Sequence, residues 1–145
     1  MAQLGKLQLK VAIKSPADKF FGFFKNNMTR FVQIFPEYFK SVEILGGGVE
    51  IEEGSVVSSR STPMTAKAKF GDVDSESRSM TFTVIDGDIL KLYKTFKANL
   101  QVTGSGYANW VIEYEKVNDS APDPEIYKDM SAKVSKGVDA YLTGA

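Results

Sequence analysis

The feature that most constrains this fold is a run of alternating apolar and polar residues from Tyr38 to Val117. Such alternation is typical of strands with one buried face. Turn residues interrupt it at Gly46-Gly47-Gly48, Asp86-Gly87 and Gly104-Ser105-Gly106. The Asp-Gly pair predicts a two-residue hairpin, because both central residues of a type I′ turn need a positive φ. The run therefore predicts an antiparallel meander.

A further strand is predicted before this run, since apolar residues from Leu7 to Ile13 alternate with Gln8, Lys10 and other polar residues. We expect seven strands in all, at Leu7 to Ile13, around Val42 to Ile44, and at Gly54 to Arg60, Thr65 to Phe70, Met80 to Ile85, Ile89 to Val102 and Tyr107 to Val117.

Two short helices are predicted between the first and second strands. Ser15-Pro16-Ala17-Asp18 combines a capping serine, a proline suited to the first helical position and an acidic residue three positions on. The first helix carries phenylalanines from Phe20 to Phe24. The second carries Met28, Phe31, Val32 and Phe35 and ends before Pro36.

A long helix is predicted at the C-terminal end of the sequence. Asp123 is a suitable N-cap and Pro124 a suitable first helical residue. Apolar residues then recur every three or four positions, which predicts one buried stripe, formed by Ile126, Met130, Val134, Val138 and Tyr141. Gly137 interrupts the helix, and a close backbone approach is one reason for a glycine there.

Composition excludes several classes of function. The 145 residues include no Cys and no His, which excludes disulfides, zinc fingers, Cys nucleophiles and Ser-His-Asp triads. With 18 basic and 18 acidic residues the net charge is zero, so we expect no nucleic-acid partner. No signal peptide or membrane-spanning stretch is recognisable, which predicts a cytoplasmic protein without a membrane partner. We expect a single domain over residues 1–145, without a metal or cofactor.

Two weak motifs are better explained as turns. Gly46-Gly47-Gly48 is not followed by the Lys-Ser/Thr of a phosphate loop, and glutamates follow it instead. Asp72 to Glu76 loosely suggests a calcium loop, but Ser77 and Thr83 stand where that loop needs Gly and Glu. We expect a hairpin turn and a solvated strand connection.

Strand alternation predicts which side chains face the interior. On the fourth, sixth and seventh strands the inward sets include Ala66, Ala68, Phe70, Leu92, Lys94, Phe96, Trp110, Ile112 and Tyr114. Alanines among aromatic residues leave volume unfilled, which favours an internal pocket. Aromatic stripes are more often solid core, with helix side chains filling the space. The residues alone leave both interpretations open.

Several collinear segments resemble the major latex protein group of plants, within the superfamily of the birch pollen allergen Bet v I. These segments are Gly5 to Phe20, Phe35-Pro36-Glu37, Lys40 to Glu43, Gly54-Ser55-Val56, Val84 to Asp88, Tyr93 to Ala98, Trp110 to Val117 and Pro122 to Glu125. The resemblance implies an α+β helix-grip (Bet v I and START-like) fold, in which a seven-stranded curved antiparallel sheet grips the long C-terminal helix around an internal cavity. The stretch Ser58 to Thr65 is short for the group, which predicts a different cavity rim.

The resemblance implies a protein that binds or carries hydrophobic or amphipathic small molecules, in defence or stress response, as a monomer or weak dimer. The residues expected at the ligand are Phe31, Phe35, Ala66, Ala68, Phe70, Phe82, Leu92, Lys94, Phe96, Trp110, Ile112, Tyr114, Met130 and Val134. Lys94 and Tyr114 would orient the ligand, with Arg60 as a further candidate.

Two other functions stay open. An enzyme, an isomerase or condensing lyase acting on a plant specialised metabolite, would use Lys94 as base and Tyr114 as acid, since burial lowers the proton affinity of an amine. A regulatory binder would change its surface for a protein partner when its ligand enters.

Overall fold

The computed structural model describes residues 3–53 and 65–144. The predicted third strand, Gly54 to Arg60, the candidate residue Arg60 and most of the short stretch from Ser58 to Thr65 lie outside the described residues. The described elements are, in chain order, β1 (Gln3–Ala12), α1 (Ala17–Asn26), a 3-10 turn (Met28–Arg30), α2 (Phe31–Ile34), β2 (Phe39–Leu45), β3 (Gly48–Glu53), β4 (Thr65–Asp74), β5 (Ser79–Asp86), a 3-10 turn (Asp88–Lys91), β6 (Tyr93–Thr103), β7 (Tyr107–Lys116) and α3 (Glu125–Thr143).

The seven strands of the described residues form one sheet in the order β1-β7-β6-β5-β4-β3-β2, with every neighbouring pair antiparallel. This confirms the predicted fold class. Only the first connection leaves the meander, because the α1–α2 segment carries the chain from β1 at one edge to β2 at the other. The curved sheet and α3 enclose the core between them.

The strand after β2 begins earlier than predicted. Gly48–Glu53 forms β3, and Gly46 and Gly47 make the tight connection from β2, with Gly47 at φ +79°. Val49 faces inward and is fully buried, whereas Glu50 on the opposite face is exposed. The alternation of apolar and acidic residues from Val49 onward fits a strand with one face exposed to solvent.

The Asp86-Gly87 pair does not form a two-residue hairpin, so that prediction is wrong. Gly87, at φ +110°, leads into the 3-10 turn, and β6 starts only at Tyr93. The Asp88 carboxylate accepts hydrogen bonds from the backbone N–H (3.2 Å) and the hydroxyl (3.4 Å) of Thr65. These bonds hold the segment against the start of β4, and the pairing of β5 with β6 ends at Thr83↔Lys97.

A bulge in β6 changes which residues face inward. Tyr93 pairs with Lys116, and Thr95 pairs with Glu115. Between these two pairs β6 therefore contains one more residue than β7. Lys94 is the extra residue, and its side chain is 60% exposed. From Phe96 onward the alternation follows the prediction. The bulge, not a slipped register, moves Lys94 to the outside.

Helix α3 lies across the concave face of the sheet with a buried stripe narrower than predicted. Val134, Ser135 and Val138 are buried, whereas Ile126 and Tyr141 are 43% and 48% exposed. These two residues lie near the two ends of the helix. Ser135 was not expected inside, because a serine breaks the apolar pattern.

Neither predicted side-chain cap is present. Pro16 is the N-cap of α1 and Pro124 the N-cap of α3, both without a side-chain capping hydrogen bond. The Asp123 carboxylate instead contacts Lys116, with 2.9 Å between Nζ and Oδ1. Ser15 lies buried beside the C-terminal part of α3, where its N–H donates to Asp139.

Candidate functional site

An internal cavity of about 140 Å³ lies between the concave face of the sheet and the middle of α3. All three helices and the inner strands contribute to its wall. Among the described residues, the wall is formed by Phe24, Met28, Phe31, Tyr38, Phe39, Val49, Ile51, Glu53, Ala66, Ala68, Phe82, Val84, Ile89, Phe96, Ala98, Trp110, Ile112, Tyr127, Met130, Ser131 and Val134. Its surface is almost entirely apolar.

Trp110 forms one side of the cavity, and its polar atom is already bonded. The indole is 5% exposed and packs against the rings of Phe24 (5.4 Å) and Phe82 (6.3 Å between centroids). Its Nε1–H donates to Ser135 Oγ at 2.8 Å. The buried serine of α3 therefore fixes the indole plane, and the ring presents an apolar surface to the cavity.

The polar group of the wall is a carboxyl–phenol pair that joins β3 to α3. Glu53 is 6% exposed at the end of β3, and its Oε2 accepts a hydrogen bond from the Tyr127 hydroxyl. The Tyr127 ring packs edge-on against Phe96 at 5.3 Å. On the next turn of α3, the Ser131 hydroxyl donates to the Tyr127 carbonyl at 2.8 Å. Glu53 is the one charged residue among the described residues of the wall.

Most of the residues expected at the ligand do line the cavity. Those found in its wall are Phe31, Ala66, Ala68, Phe82, Phe96, Trp110, Ile112, Met130 and Val134. They come from six different elements, which the fold brings together around the cavity. Their contact with a ligand stays a prediction.

Three predicted residues lie away from the cavity for separate reasons. Phe35 is buried under α3, where its ring contacts the backbone at Gly137. Phe70 is paired with Phe82 across β4 and β5 and packs edge-on against its ring, with 5.5 Å between ring centroids. Leu92 ends the 3-10 turn rather than belonging to β6.

Lys94 and Tyr114 do not form the predicted acid–base pair in the cavity. Lys94 lies outside, with its Nζ 3.7 Å from Glu115 Oε2. Tyr114 is buried beyond the cavity, against Tyr93 (5.8 Å between rings), and its hydroxyl donates to Asp123 Oδ1 at 3.0 Å. Burial, with the hydrogen bond to Asp123, raises the pKa of Tyr114, so this phenol is a weaker acid than usual. Lys94 therefore does not face inward as strand alternation predicted, whereas Tyr114 is buried as predicted but does not line the cavity.

Tyr93 lies beside Tyr114, at the end of the molecule where α3 begins. Its hydroxyl donates to the carbonyl of Pro122 at 2.7 Å, just before α3. Burial raises the pKa of Tyr93 to about 12. A phenol that is held protonated and already bonded to backbone anchors α3 rather than performing proton transfer.

Sequence reasoning missed wall residues in several elements, and two groups of them carry the polar atoms of the wall described above. Val49, Ile51 and Glu53 belong to β3, which was placed too late in the chain, and counting the alternation from Gly48 would have found them. Tyr127 and Ser131 lie beside Met130 and Val134 on α3 but are not apolar stripe residues. The signal available in the sequence was that each of these two residues directly follows a residue of the apolar stripe, Ile126 or Met130.

Two further searches cover the described residues. Within residues 3–53 and 65–144, no helix is long and apolar enough to cross a membrane. The same ranges hold no cluster of three or more carboxylate side chains that could bind a metal ion. The acidic segment Asp72 to Glu76 covers the end of β4 and the start of the turn into β5, where Asp74 Oδ1 accepts the N–H of Glu76 at 2.9 Å.

Comparisons with known families, sequences and structures all point to the same family. The profile described as "Pathogenesis-related protein Bet v 1 family" matches residues 2–145. MLP-like protein 423 of Arabidopsis thaliana is 31% identical over 150 residues, which cover 98% of this chain and 96% of that protein. Major latex-like protein 151 from Panax ginseng has a crystal structure that matches with a TM-score of 0.85 at 26% identity, over 97% of this chain and 98% of that one.

A more distant structural neighbour is an enzyme. A point mutant of norcoclaurine synthase from Thalictrum flavum, in complex with a transition-state analogue, matches with a TM-score of 0.76 over 99% of this chain and 97% of its own. Its identity to this chain is 17%, so the likeness shows a shared fold alone.

Proposed function

The chain belongs to the Bet v 1 family, and on that premise we propose that it binds hydrophobic or amphipathic small molecules reversibly, as a carrier or binding protein, in the cavity between the sheet and α3. Proteins of this family bind small hydrophobic ligands. The observation that carries the proposal here is an unfilled, almost entirely apolar space between the sheet and α3, in a protein interior that would ordinarily be packed. A cytoplasmic location and a role in defence or stress belong to the same proposal, the latter supported by the family's description as pathogenesis-related.

The volume of the cavity sets the size of the ligand. Empty apolar cavities of about 150 Å³ take up benzene-sized molecules. The cavity of about 140 Å³ therefore suits one aromatic ring with small substituents. Apolar burial supplies the affinity, since the wall is almost entirely hydrocarbon.

Trp110 gives a direct test of this proposal, because its indole lines the cavity. We expect p-xylene and naphthalene to change its emission saturably, with dissociation constants on the order of micromolar to millimolar. Glucose, a polar control, should change nothing. The buried indole should also resist quenching by iodide without ligand, since it is 5% exposed.

Calorimetry of the same titrations separates binding from optical artefacts. Saturable heat should accompany each fluorescence change and give the same dissociation constant. If neither apolar probe produces a saturable signal or heat, the binding function proposed for this cavity is wrong.

A further inference from the structure

The sheet is split between the end of β5 and the start of β6. Pairing of these two strands ends at Thr83↔Lys97. β5 nevertheless continues to Asp86, and β6 begins as early as Tyr93. The end of β5 stays paired with β4, at Asp86↔Lys67, and the start of β6 stays paired with β7. The two strand ends are therefore held to different parts of the sheet, and no strand pair of the described residues crosses the split.

Two spaces meet at this split, one on each face of the sheet. The cavity lies on the inner face. On the other face lies a hollow of about 490 Å³, here called the outer hollow, whose wall includes the exposed side chains of Lys6, Lys97 and Glu113. Val84 and Phe96 belong to the walls of both spaces. They are the residues that directly follow the last strand pair, one on each strand, so only the thickness of the sheet separates the cavity from the outside there.

The ring of Phe96 closes the split. It is 7% exposed and packs against the rings of Tyr93 (5.6 Å between centroids) and Tyr127 (5.3 Å). These are contacts between side chains, so the ring can turn aside without breaking a strand pair. Passage through a paired part of the sheet would instead cost backbone hydrogen bonds.

From this geometry we infer that small apolar ligands enter and leave the cavity through the split, with the outer hollow as its mouth and Phe96 as its movable closure. The inference rests on the proposed function and adds the route of the ligand. A group that only closes a route changes how fast a ligand exchanges and not how tightly it binds, because a barrier slows entry and exit equally. Exchange rates therefore test the route.

Blocking the outer hollow is the first test. The chain has no Cys, so in Lys97→Cys a bulky thiol label attached through a disulfide is carried at one position only. Association and dissociation of p-xylene, followed by Trp110 emission in a stopped-flow instrument, should both slow at least about fivefold while the dissociation constant stays unchanged. A reductant that removes the label should restore both rates.

The matched control is Gln101→Cys with the same label. Gln101 is also exposed on β6, but it pairs with Ser79, where β5 and β6 are still joined. The labelled control should exchange p-xylene as fast as the unlabelled wild type.

A smaller closure should have the opposite effect. Phe96→Leu should raise the association rate constant of p-xylene at least about threefold. Its control is Phe82→Leu, because Phe82 also lines the cavity but pairs with Ala98 in the joined part of the two strands. Loss of a ligand contact acts mainly on dissociation, so Phe82→Leu should leave the association rate unchanged.

The outcomes separate the route from the binding function. Equal exchange rates in the labelled Lys97→Cys and Gln101→Cys variants would overturn the route and leave the proposed function intact. A label at Lys97→Cys that weakens affinity without slowing entry would mark a contact with the ligand and would also overturn the route, as would an unchanged association rate in Phe96→Leu. If Phe96→Leu does not fold, the labelled variants decide. Absence of a saturable Trp110 signal in the unlabelled wild type would overturn the proposed function itself.

Discussion

At the scale of single residues, the contact between Phe35 and Gly137 shows why one predicted ligand residue is packed elsewhere. A Cβ atom added at Gly137 would lie 2.2 Å from Phe35 Cε1 and 2.5 Å from Cζ. The Phe35 ring is 6% exposed and lies between the rings of Phe31 (5.7 Å) and Phe39 (6.4 Å). The glycine in the middle of α3 therefore provides the space into which Phe35 packs, away from the cavity.

This contact predicts that Gly137→Ala destabilises the protein. Alanine in a helix interior is ordinarily favoured over glycine by about 1 kcal/mol. Here the methyl group meets a ring that its neighbours hold, and overpacking of this kind costs about 1 to 3 kcal/mol. We expect a net decrease in the free energy of unfolding, measured by urea denaturation.

Gly22 in α1 is the matched control, because an added Cβ there meets nothing within 4 Å. Gly22→Ala should raise the free energy of unfolding by about 0.5 to 1 kcal/mol. Adding Phe35→Leu should relieve the clash in Gly137→Ala and reveal a coupling between the two positions. If Gly137→Ala is as stabilising as Gly22→Ala, then Phe35 does not pack closely enough against Gly137 to exclude a methyl group.

At the scale of elements, α3 is fastened to the rest of the protein at both ends by groups that a hydrophobic pattern does not reveal. At its C-terminal part, the Asp139 carboxylate accepts the backbone N–H of Lys14 (2.9 Å) and of Ser15 (2.7 Å) in the connection from β1 to α1. At its start, the Tyr93 hydroxyl donates to Pro122. These links hold the helix over the cavity at both ends.

The Asp139 link predicts a pH-dependent contribution to stability. Burial raises the pKa of Asp139, but hydrogen bonds from Ser15 and Lys14 outweigh it and hold the pKa below its ordinary value of 3.8. A carboxyl group whose pKa is lower in the folded state stabilises fully above its unfolded pKa. That stabilisation is lost as the pH falls through the folded pKa. It should therefore be present at pH 7 and disappear below pH 3.8.

Asp139→Asn tests this dependence. At pH 7 it should lower the free energy of unfolding by about 1 to 2 kcal/mol, since it weakens two hydrogen bonds to a charged acceptor. The difference from wild type should shrink as the pH falls below 3.8, measured by urea denaturation across the pH range. Asp129→Asn, at an exposed position of the same helix, should have a small effect throughout. A constant difference for Asp139→Asn would refute the electrostatic explanation.

Strand alternation predicted the elements better than their irregularities. It found the strands with long regular patterns, such as β7, where Trp110 and Ile112 face inward as expected. It failed at Lys94 because a single bulge residue reverses the two-residue period, and no local sequence signal marks that bulge. The 3-10 turn before β6 depends on the contact of Asp88 with Thr65, which are 23 residues apart in sequence. Contacts of that range cannot be read from a local pattern.

At the scale of the whole molecule, the cavity results from the fold rather than from any one element. The curved sheet and α3 are far enough apart that alanines on the inner face leave space, as Ala66 and Ala68 do. The sequence predicted those alanines inside, but not whether helix side chains would fill the gap. That outcome depends on where α3 lies, which the links at Tyr93, Glu53 and Asp139 determine together.

Unfilled apolar volume lowers stability, so filling it should stabilise the protein while removing its binding capacity. Ala98 lies at the centre of β6, between Phe82 on one neighbouring strand and Ile112 on the other, and all three line the cavity. Ala98→Leu should occupy most of the space, raise the free energy of unfolding by about 0.5 to 2 kcal/mol and weaken p-xylene binding at least tenfold. Ala12→Leu, at an exposed position of β1, is the control and should leave p-xylene affinity unchanged. Undiminished p-xylene binding in Ala98→Leu would place the ligand outside this cavity.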